Sequence, residues 1–289
     1  MKTLLLKITA LFIVIGAMAF TTSPWPETSK TTLPQGIAAP ERCSIENTAF
    51  QAGEELTYKL YYNWNFVWLS AGEVTFRVKD LGNEYHLSAY GQTYKSYEWF
   101  YKVRDRYDSF VDKKSLLPNI AIRDIQEGGY SVYDKLTFDQ NKKVVKSLRG
   151  KTKDVAELQE YATGDCMHDI ISIIYHFRNI DFSQMKKGEN VPIKLFMDKE
   201  VWPLKVNYRG KEANKKIKGL GKFNTLIFGP EVIEGSVFKK DAKLNIWATD
   251  DNNKIPLVIE SPLSVGSVQA VLKSYKGLKY DMTAKVGKD

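Results

Sequence analysis

Residues 56–62 read LTYKLYY and residues 74–78 read VTFRV, and these two stretches decide the fold class. Large apolar side chains occupy every second position in both, which is the period of a β-strand with one buried face. Similar stretches recur to the C-terminus, with turn signals such as Gly128-Gly129 between them. They lie at 84–93, 99–111, 118–126, 130–138, 142–149, 154–161, 190–197, 201–209, 222–229, 235–239, 242–249, 255–261 and 266–275. The sequence therefore predicts an all-β, mainly antiparallel fold.

One segment, residues 166–179, breaks this alternation. Its apolar side chains follow the three-and-four spacing of a helix, and Gly164-Asp165 in front of it supplies the expected cap. The stripe consists of Met167, Ile170, Ile171, Ile174 and Phe177. Many short strands with one internal apolar helix predict a curved sheet or barrel-like fold, with the helix covering or plugging its mouth.

The N-terminus reads as a secretory signal over residues 1–19. Lys2 and Lys7 give a positive start, an apolar run follows, and Ala17-Met18-Ala19 is a small-x-small cleavage site. The apolar run is shorter than the ~20 residues that cross a bilayer. No cysteine directly follows it, so lipid attachment is not expected. We predict export to the periplasm and no membrane span after signal removal, with association with the outer membrane left open.

The mature chain divides by composition into three parts. Residues 20–42 are rich in Pro, Thr and Ser and read as a flexible tether, because they cannot bury much apolar surface. Residues 43–280 read as a single β-rich domain, although two β-halves that share one core are the alternative. Residues 281–289 read as a tail.

The two cysteines, Cys43 and Cys166, remain after processing. An exported chain with an even number of cysteines can oxidise them to one disulfide, which would pin the start of the folded domain. Two buried free thiols are the plainer interpretation of the sequence alone.

Aromatic side chains are concentrated in the first third of the folded domain. Trp64, Phe66 and Trp68 are two residues apart and would share one face of a strand, and Tyr97 and Trp99 follow. Such a group is typical of a stacking or apolar platform that binds a lipid or a glycan. A barrel core or a hairpin tip is the other interpretation, and it is the commoner role of such a group.

Metal and cofactor motifs are missing from the sequence, so neither a metal nor a cofactor is expected. The three histidines, His86, His168 and His176, have no carboxylate or cysteine at ligand spacing. Residues 250–253 read DDNN and supply oxygen ligands that suit Ca²⁺. A tight turn is the better interpretation, because Asp and Asn side chains bond to the nearby backbone.

The charged residues select no catalytic or nucleic-acid site. The formal net charge of +8 is modest for 289 residues, and no nucleic-acid-reading module is present. Glu98 and Asp105 are among the carboxylates that would serve as acid and base in glycan hydrolysis, but no spacing selects a pair. No catalytic residue is assigned, and a non-enzymatic function is favoured.

Several short runs carry a resemblance to a family. Their order and spacing over about residues 43–278 are similar to the exported bacterial proteins of domain of unknown function 3108, above all to the version found in Bacteroidetes. The runs are GEELTY (53–58), AGEV (71–74), RDRY (104–107), DIISIIY (169–175), GKF (221–223), IWATDD (246–251) and IP (255–256). The resemblance implies a periplasmic, barrel-like all-β fold, akin to the lipoprotein carrier half-barrels, and no established activity.

Three functions follow as hypotheses. The leading one is a periplasmic protein that binds or carries a lipid or other amphipathic envelope component in the mouth of the barrel. The second is a scaffold or assembly factor whose aromatic and Lys-rich edges contact an envelope protein or glycan. The third is a glycan-processing enzyme that uses Glu98 or Asp105.

Overall fold

The computed structural model describes residues 43–64, 67–99, 101–231, 243–262 and 266–287. Within these ranges the chain forms strands, two α-helices and a 3₁₀ turn at Lys153–Val155. The elements are β1 (Glu55–Trp64), β2 (Val67–Asp80), β3 (Glu84–Thr93), α1 (Lys95–Glu98), β4 (Arg104–Asp112), β5 (Pro118–Glu127), β6 (Tyr130–Asp139), β7 (Val144–Gly150), β8 (Glu157–Ala162), α2 (Ile170–Phe177), β9 (Asn190–Met197), β10 (Glu200–Ile217), β11 (Gly221–Pro230), β12 (Asn245–Thr249), β13 (Pro256–Pro262), β14 (Ser267–Lys276) and β15 (Lys285–Gly287).

All the strands belong to one antiparallel sheet, so the predicted fold class is confirmed. Its order is β8-β7-β6-β5-β4-β3-β2-β1-β14-β13-β12-β11-β10-β9, and β15 pairs with β11 outside this path. The sheet is therefore two meanders, β1–β8 and β9–β14, joined where β1 pairs with β14, as in Leu60 opposite Ala270. Between the meanders the chain leaves one edge of the sheet at β8, passes through α2 and re-enters at the opposite edge with β9.

The sheet curls until its β9 edge meets the inner face of the first meander. His168 forms a parallel bridge with Leu195 of β9, and its backbone donates to and accepts from that strand. In the turn after β9, the Asp198 carboxylate accepts a hydrogen bond from Arg123 of β5 at 2.6 Å and pairs with Arg149 of β7 at 2.8 Å. These contacts hold the curl without a continuous strand ladder, so the sheet is curled rather than closed.

The main hydrophobic core draws on both meanders and on α2. Inward-facing side chains alternate along the strands, as Leu56, Tyr58 and Leu60 do on β1, and they pack in one cluster with Ile171 and Tyr175 of α2. The helix thus lies inside the curl and contacts β3, β4 and β9. This position agrees with the expectation of an internal apolar helix.

The helix begins later than its apolar stripe predicts. Asp169, not Gly164-Asp165, caps α2: its carboxylate accepts from the backbone N–H of Ile171 and Ser172, and the Ser172 hydroxyl accepts from the N–H of Asp169. The predicted start at Cys166 is wrong, because Cys166 has a left-handed φ of 57° and His168 is engaged by β9. Long-range contacts, rather than helical periodicity, set the N-terminal boundary.

Two further features differ from the sequence expectations. The strand predicted at 99–111 begins only at Arg104, because the chain first turns through α1. Beyond residue 280, where a tail is predicted, Lys285–Gly287 form β15 on the edge of β11. The strand candidate at 235–239, the signal over 1–19 and the tether over 20–42 lie outside the described residues.

Candidate ligand-binding cavity

The inner face of the second meander and one side of α2 bound a cavity of about 240 Å³. Strands β1 and β2 complete its wall. Except for two cations, the lining side chains are apolar or aromatic. They are Leu56, Tyr58, Val74, Phe76, Ile170, Ile173, Ile174, Tyr175, Phe177, Phe182, Ile193, Val206, Phe228, Pro230, Leu244, Ile246, Ala248, Pro256, Ile259 and Ala270, with the cations Arg178 and Lys254.

The cavity follows from side-chain size at inward-facing positions. Ala248 of β12 and Ala270 of β14 lie on the inner face of the sheet. Other lining positions of these strands carry larger side chains, such as Phe228 paired with Ile246. Protein interiors normally leave few voids larger than a water molecule. An apolar cavity of ~150 Å³ is already large enough to bind benzene and is not filled by water. The volume here therefore suits a larger apolar group.

The N-terminus of α2 is fixed by a buried carboxylate. Asp169, besides capping the helix, accepts a hydrogen bond from the Ser109 hydroxyl of β4 at 2.6 Å. Burial raises the pKa of Asp169, while the hydrogen bonds from Ser109, Ser172 and the helix backbone oppose that rise. The helix is thereby tied to the first meander.

The C-terminus of α2 is fixed by a buried ion pair. Arg178 donates two parallel hydrogen bonds to Glu54, at 2.6 and 2.8 Å, and a third to the carbonyl of Asn253. Both side chains are almost fully buried, at 3% and 0% exposure. With both ends held, α2 is a fixed wall of the cavity.

The other lining cation, Lys254, lies in the turn between β12 and β13. Its side chain is half-buried, and burial lowers the pKa of its ammonium group. Among the described residues the ammonium group has neither an ion pair nor a hydrogen bond. Lys254 is thus the charge on the cavity wall that remains available to a ligand.

The aromatic residues predicted to bind a ligand lie elsewhere. Trp68 and Trp99 are exposed, at 42% and 85%, and Tyr97 is partly buried in α1. These three side chains are not part of the cavity wall. Phe66 and the side chain of Trp64 lie outside the described residues. The aromatic platform stays a prediction.

The predicted cysteine pair is joined. A disulfide connects Cys43 to Cys166 and closes a loop of 123 residues. It holds the segment that runs from Cys43 to β1, in which Phe50 packs edge-on against Tyr175 of α2 with ring centres 4.9 Å apart. The N-terminal segment therefore packs on α2 at a residue that also belongs to the cavity wall.

The two carboxylates considered for hydrolysis have separate surroundings. Glu98 forms an ion pair with Arg104, which lowers its pKa. Asp105 is buried beside Glu127. Burial raises the pKa of Asp105 to about 7 and, with the Asp105 charge, that of Glu127 to about 9. Their surroundings differ, and the cavity wall includes neither Glu98 nor Asp105.

The Asp105–Glu127 pair predicts a loss of stability with rising pH. Because both folded-state pKa values are raised, the pair's contribution is complete below about pH 4 and is lost as pH rises through about 7 and 9. We expect Glu127→Gln to match the wild type at about pH 4, where Glu127 is mostly protonated in both the folded and the unfolded chain. At pH 8.5 it should be more stable by at least about 2 kcal/mol in urea unfolding. Glu157→Gln, at an exposed site on β8, is the control; an equal difference at both pH values would contradict the prediction.

The DDNN stretch forms a turn, as its composition favours. The Asp251 carboxylate accepts hydrogen bonds from the Thr249 hydroxyl and from the backbone N–H of Asn253 and Lys254. In the described part of the chain, no three His, Cys, Asp or Glu side chains gather as a metal site. Over the same residues, no helix is long and apolar enough to span a bilayer.

Comparison with known families matches residues 57–273 to the protein family of unknown function DUF3108. The chain belongs to the DUF3108 family. The resemblance carried by the short runs is thereby confirmed, whereas membership of a Bacteroidetes version stays a prediction.

This DUF3108 protein also shares its fold with a solved structure. This chain is similar, with a TM-score of 0.57 and 10% identity, to the beta-barrel-like protein of domain of unknown function DUF1849 from Brucella abortus. The match covers 82% of this chain and 100% of that one. At this identity the likeness concerns the fold alone. No curated protein matches the chain.

Sequence reasoning predicted a ligand in the mouth of the barrel but identified neither the residues that line the cavity nor Lys254. The strands that line the cavity were predicted, but the alternation of apolar side chains does not give the distance between facing parts of the curled sheet. Lys254 follows a turn motif that gives no sign of a cavity. The small side chains of Ala248 and Ala270 within otherwise bulky strands were the available signal.

Proposed function

We propose that this DUF3108 protein is exported and holds the hydrocarbon part of an amphipathic envelope lipid in its cavity, without catalysing a reaction. The observation that carries the proposal is a cavity of about 240 Å³ whose wall is apolar except for Arg178 and Lys254. Transfer of a methylene group from water into such a site is worth ~0.8 kcal/mol, so a hydrocarbon chain gains affinity with each carbon. A periplasmic location suits this cargo, because the envelope lipids lie on both sides of that compartment.

A fixed wall supports binding rather than simple incomplete packing. Asp169 and Arg178 hold the two ends of α2 through buried hydrogen bonds. The helix therefore does not collapse onto β12 and β14 to fill the space. A site that is formed before its ligand arrives loses little conformational entropy on binding.

The test has two parts: identification of the bound cargo, and measurement of probe binding by a variant whose cavity is filled. Native mass spectrometry of the gently purified protein should show an added lipid mass near one per chain. In Ala248→Phe the new ring occupies the cavity, so binding of the neutral probe N-phenylnaphthylamine should weaken by at least about tenfold, or ~1.4 kcal/mol.

Val286→Phe on β15, where the side chain is 47% exposed, is the matched control and should bind as the wild type does. Equal probe binding by wild type and Ala248→Phe, with no lipid released from the purified protein, would reject the cavity as the binding site.

A second candidate function, a scaffold or assembly factor, is supported by the exposed side chains of Trp68 and Trp99. Tryptophan is enriched at protein interfaces, and Trp99 is 85% exposed. The same mass measurement separates the two candidates, because a protein partner adds a far larger mass than a lipid.

A further inference from the structure

We infer that the cavity's ligand carries one anionic group, a carboxylate or a phosphate ester, that forms an ion pair with Lys254. The inference deepens the proposed function and rests on it. It assigns a headgroup chemistry and an orientation to a ligand for which the cavity alone specifies only an apolar part.

The two cations on the cavity wall differ in whether they have a hydrogen-bond or ion-pair partner within the described chain. Arg178 is committed, since Glu54 accepts a hydrogen bond from each of its two terminal nitrogens and the Asn253 carbonyl accepts from Nε. Lys254, by contrast, has no ion pair or hydrogen bond at its ammonium group within the described chain. A half-buried cation without a partner favours an anion at that place.

Two carboxylates lie near Lys254 without forming an ion pair with it. Asp181 and Asp251 act on its charge from beyond ion-pair distance. The Asp251 oxygens are occupied by backbone N–H groups, including those of Asn253 and Ala284, and Asp181 accepts from the N–H of Ser183. Both carboxylates are engaged by backbone N–H groups, and neither forms an ion pair with the ammonium group. Burial lowers the Lys254 pKa accordingly, and a bound anion would oppose that change.

The backbone of Lys254 has a positive φ. Lys254 has a φ of 47°, in the left-handed region where glycine or asparagine is favoured. A lysine there costs on the order of 1 kcal/mol relative to glycine. The turn between β12 and β13 holds this lysine at that small conformational cost, as the backbone does at six other non-glycine positions of the described chain.

The position of Lys254 on the cavity wall gives the ligand a direction. Lys254 adjoins the end of the cavity where Ala248 pairs with Pro256, and the lining continues along β12 to Leu244. Four residues of strand span about 13 Å. An amphiphile with its anion at half-buried Lys254 therefore has its chain running along the strands toward Leu244.

The experiment measures, by calorimetry on the delipidated full chain, the affinities for dodecanoate and for uncharged dodecanol below their aggregation concentrations. Wild type should bind dodecanoate at least about tenfold more tightly. Lys254→Met should bind the two equally, and Lys254→Arg should keep the preference for the anion. Lys254→Glu should reverse the preference and favour dodecyltrimethylammonium over dodecanoate. Lys142→Met, at an exposed turn, is the control and should behave as wild type.

The outcomes separate the inference from the proposed function. If wild type binds dodecanoate and dodecanol equally, or if Lys254→Met keeps the preference, the headgroup assignment is wrong while the cavity still binds hydrocarbon. If neither ligand binds, both proposals fail. Dodecyl phosphate distinguishes the two anions: tighter binding than dodecanoate assigns a phosphate ester, and weaker binding assigns a carboxylate. Thermal melting of each variant checks that it is folded.

Discussion

Replacement of Arg178 by methionine is expected to lower the free energy of unfolding by about 3–5 kcal/mol, because it leaves the Glu54 carboxylate buried without its partner. Glu54 is 0% exposed at its side chain, and two hydrogen bonds from Arg178 stabilise its charge. The substitution also removes the donor to the Asn253 carbonyl. At ~2–4 °C per kcal/mol for a domain of this size, the melting temperature should fall by roughly 10 °C. Urea unfolding at neutral pH measures the effect.

Two variants separate the buried pair from ion pairs in general. Arg77→Met breaks the Arg77–Glu55 pair, in which Arg77 is 45% exposed, and should cost less than about 1 kcal/mol. The double variant Glu54→Met/Arg178→Met removes both charges and should recover part of the stability that Arg178→Met loses. An Arg178→Met protein as stable as Arg77→Met would show that the pair does not anchor α2.

The sequence predicts the local elements of the fold but not the contacts between residues far apart in the chain, such as Glu54 and Arg178. Strand periodicity is local, so β3 and β9 were predicted at the positions where they form, 84–93 and 190–197. The residues just before α2 are held by contacts from far away in the sequence: His168 pairs with Leu195 of β9, and Ser109, 60 residues away from Asp169, donates to its carboxylate. No window around residue 166 contains that information.

The same distinction applies to the candidate site. The aromatic residues around Trp68 stood out because they are close in sequence, whereas the cavity wall is assembled from strands far apart in the chain. The pairing of β1 with β14 brings Leu60 opposite Ala270, a separation that no periodicity encodes. Composition and motifs predicted the strands and the family. The cavity and the place of Lys254 on its wall depend on how distant strands pair, which only the structure shows.

The disulfide is the second feature on which stability should depend strongly. Removal of both sulfurs by Cys43→Ala/Cys166→Ala releases a loop of 123 residues in the unfolded state, for which the chain-entropy model gives about 5 kcal/mol. Observed losses for native disulfides are ~2–5 kcal/mol, so we expect a fall within that range. Reductant should destabilise the wild type by a similar amount and leave the double variant unchanged.

The backbone at Cys166 offers a control that separates the bond from local strain. Because Cys166 has a φ of 57°, alanine there is strained, whereas glycine is not. Cys43→Ala/Cys166→Gly should therefore be more stable than Cys43→Ala/Cys166→Ala by up to about 1 kcal/mol, yet less stable than the oxidised wild type. A wild type whose melting temperature is the same with and without reductant would contradict a stabilising bond. The N-terminal segment that packs Phe50 on Tyr175 would then be held by its own hydrogen bonds to Asn179.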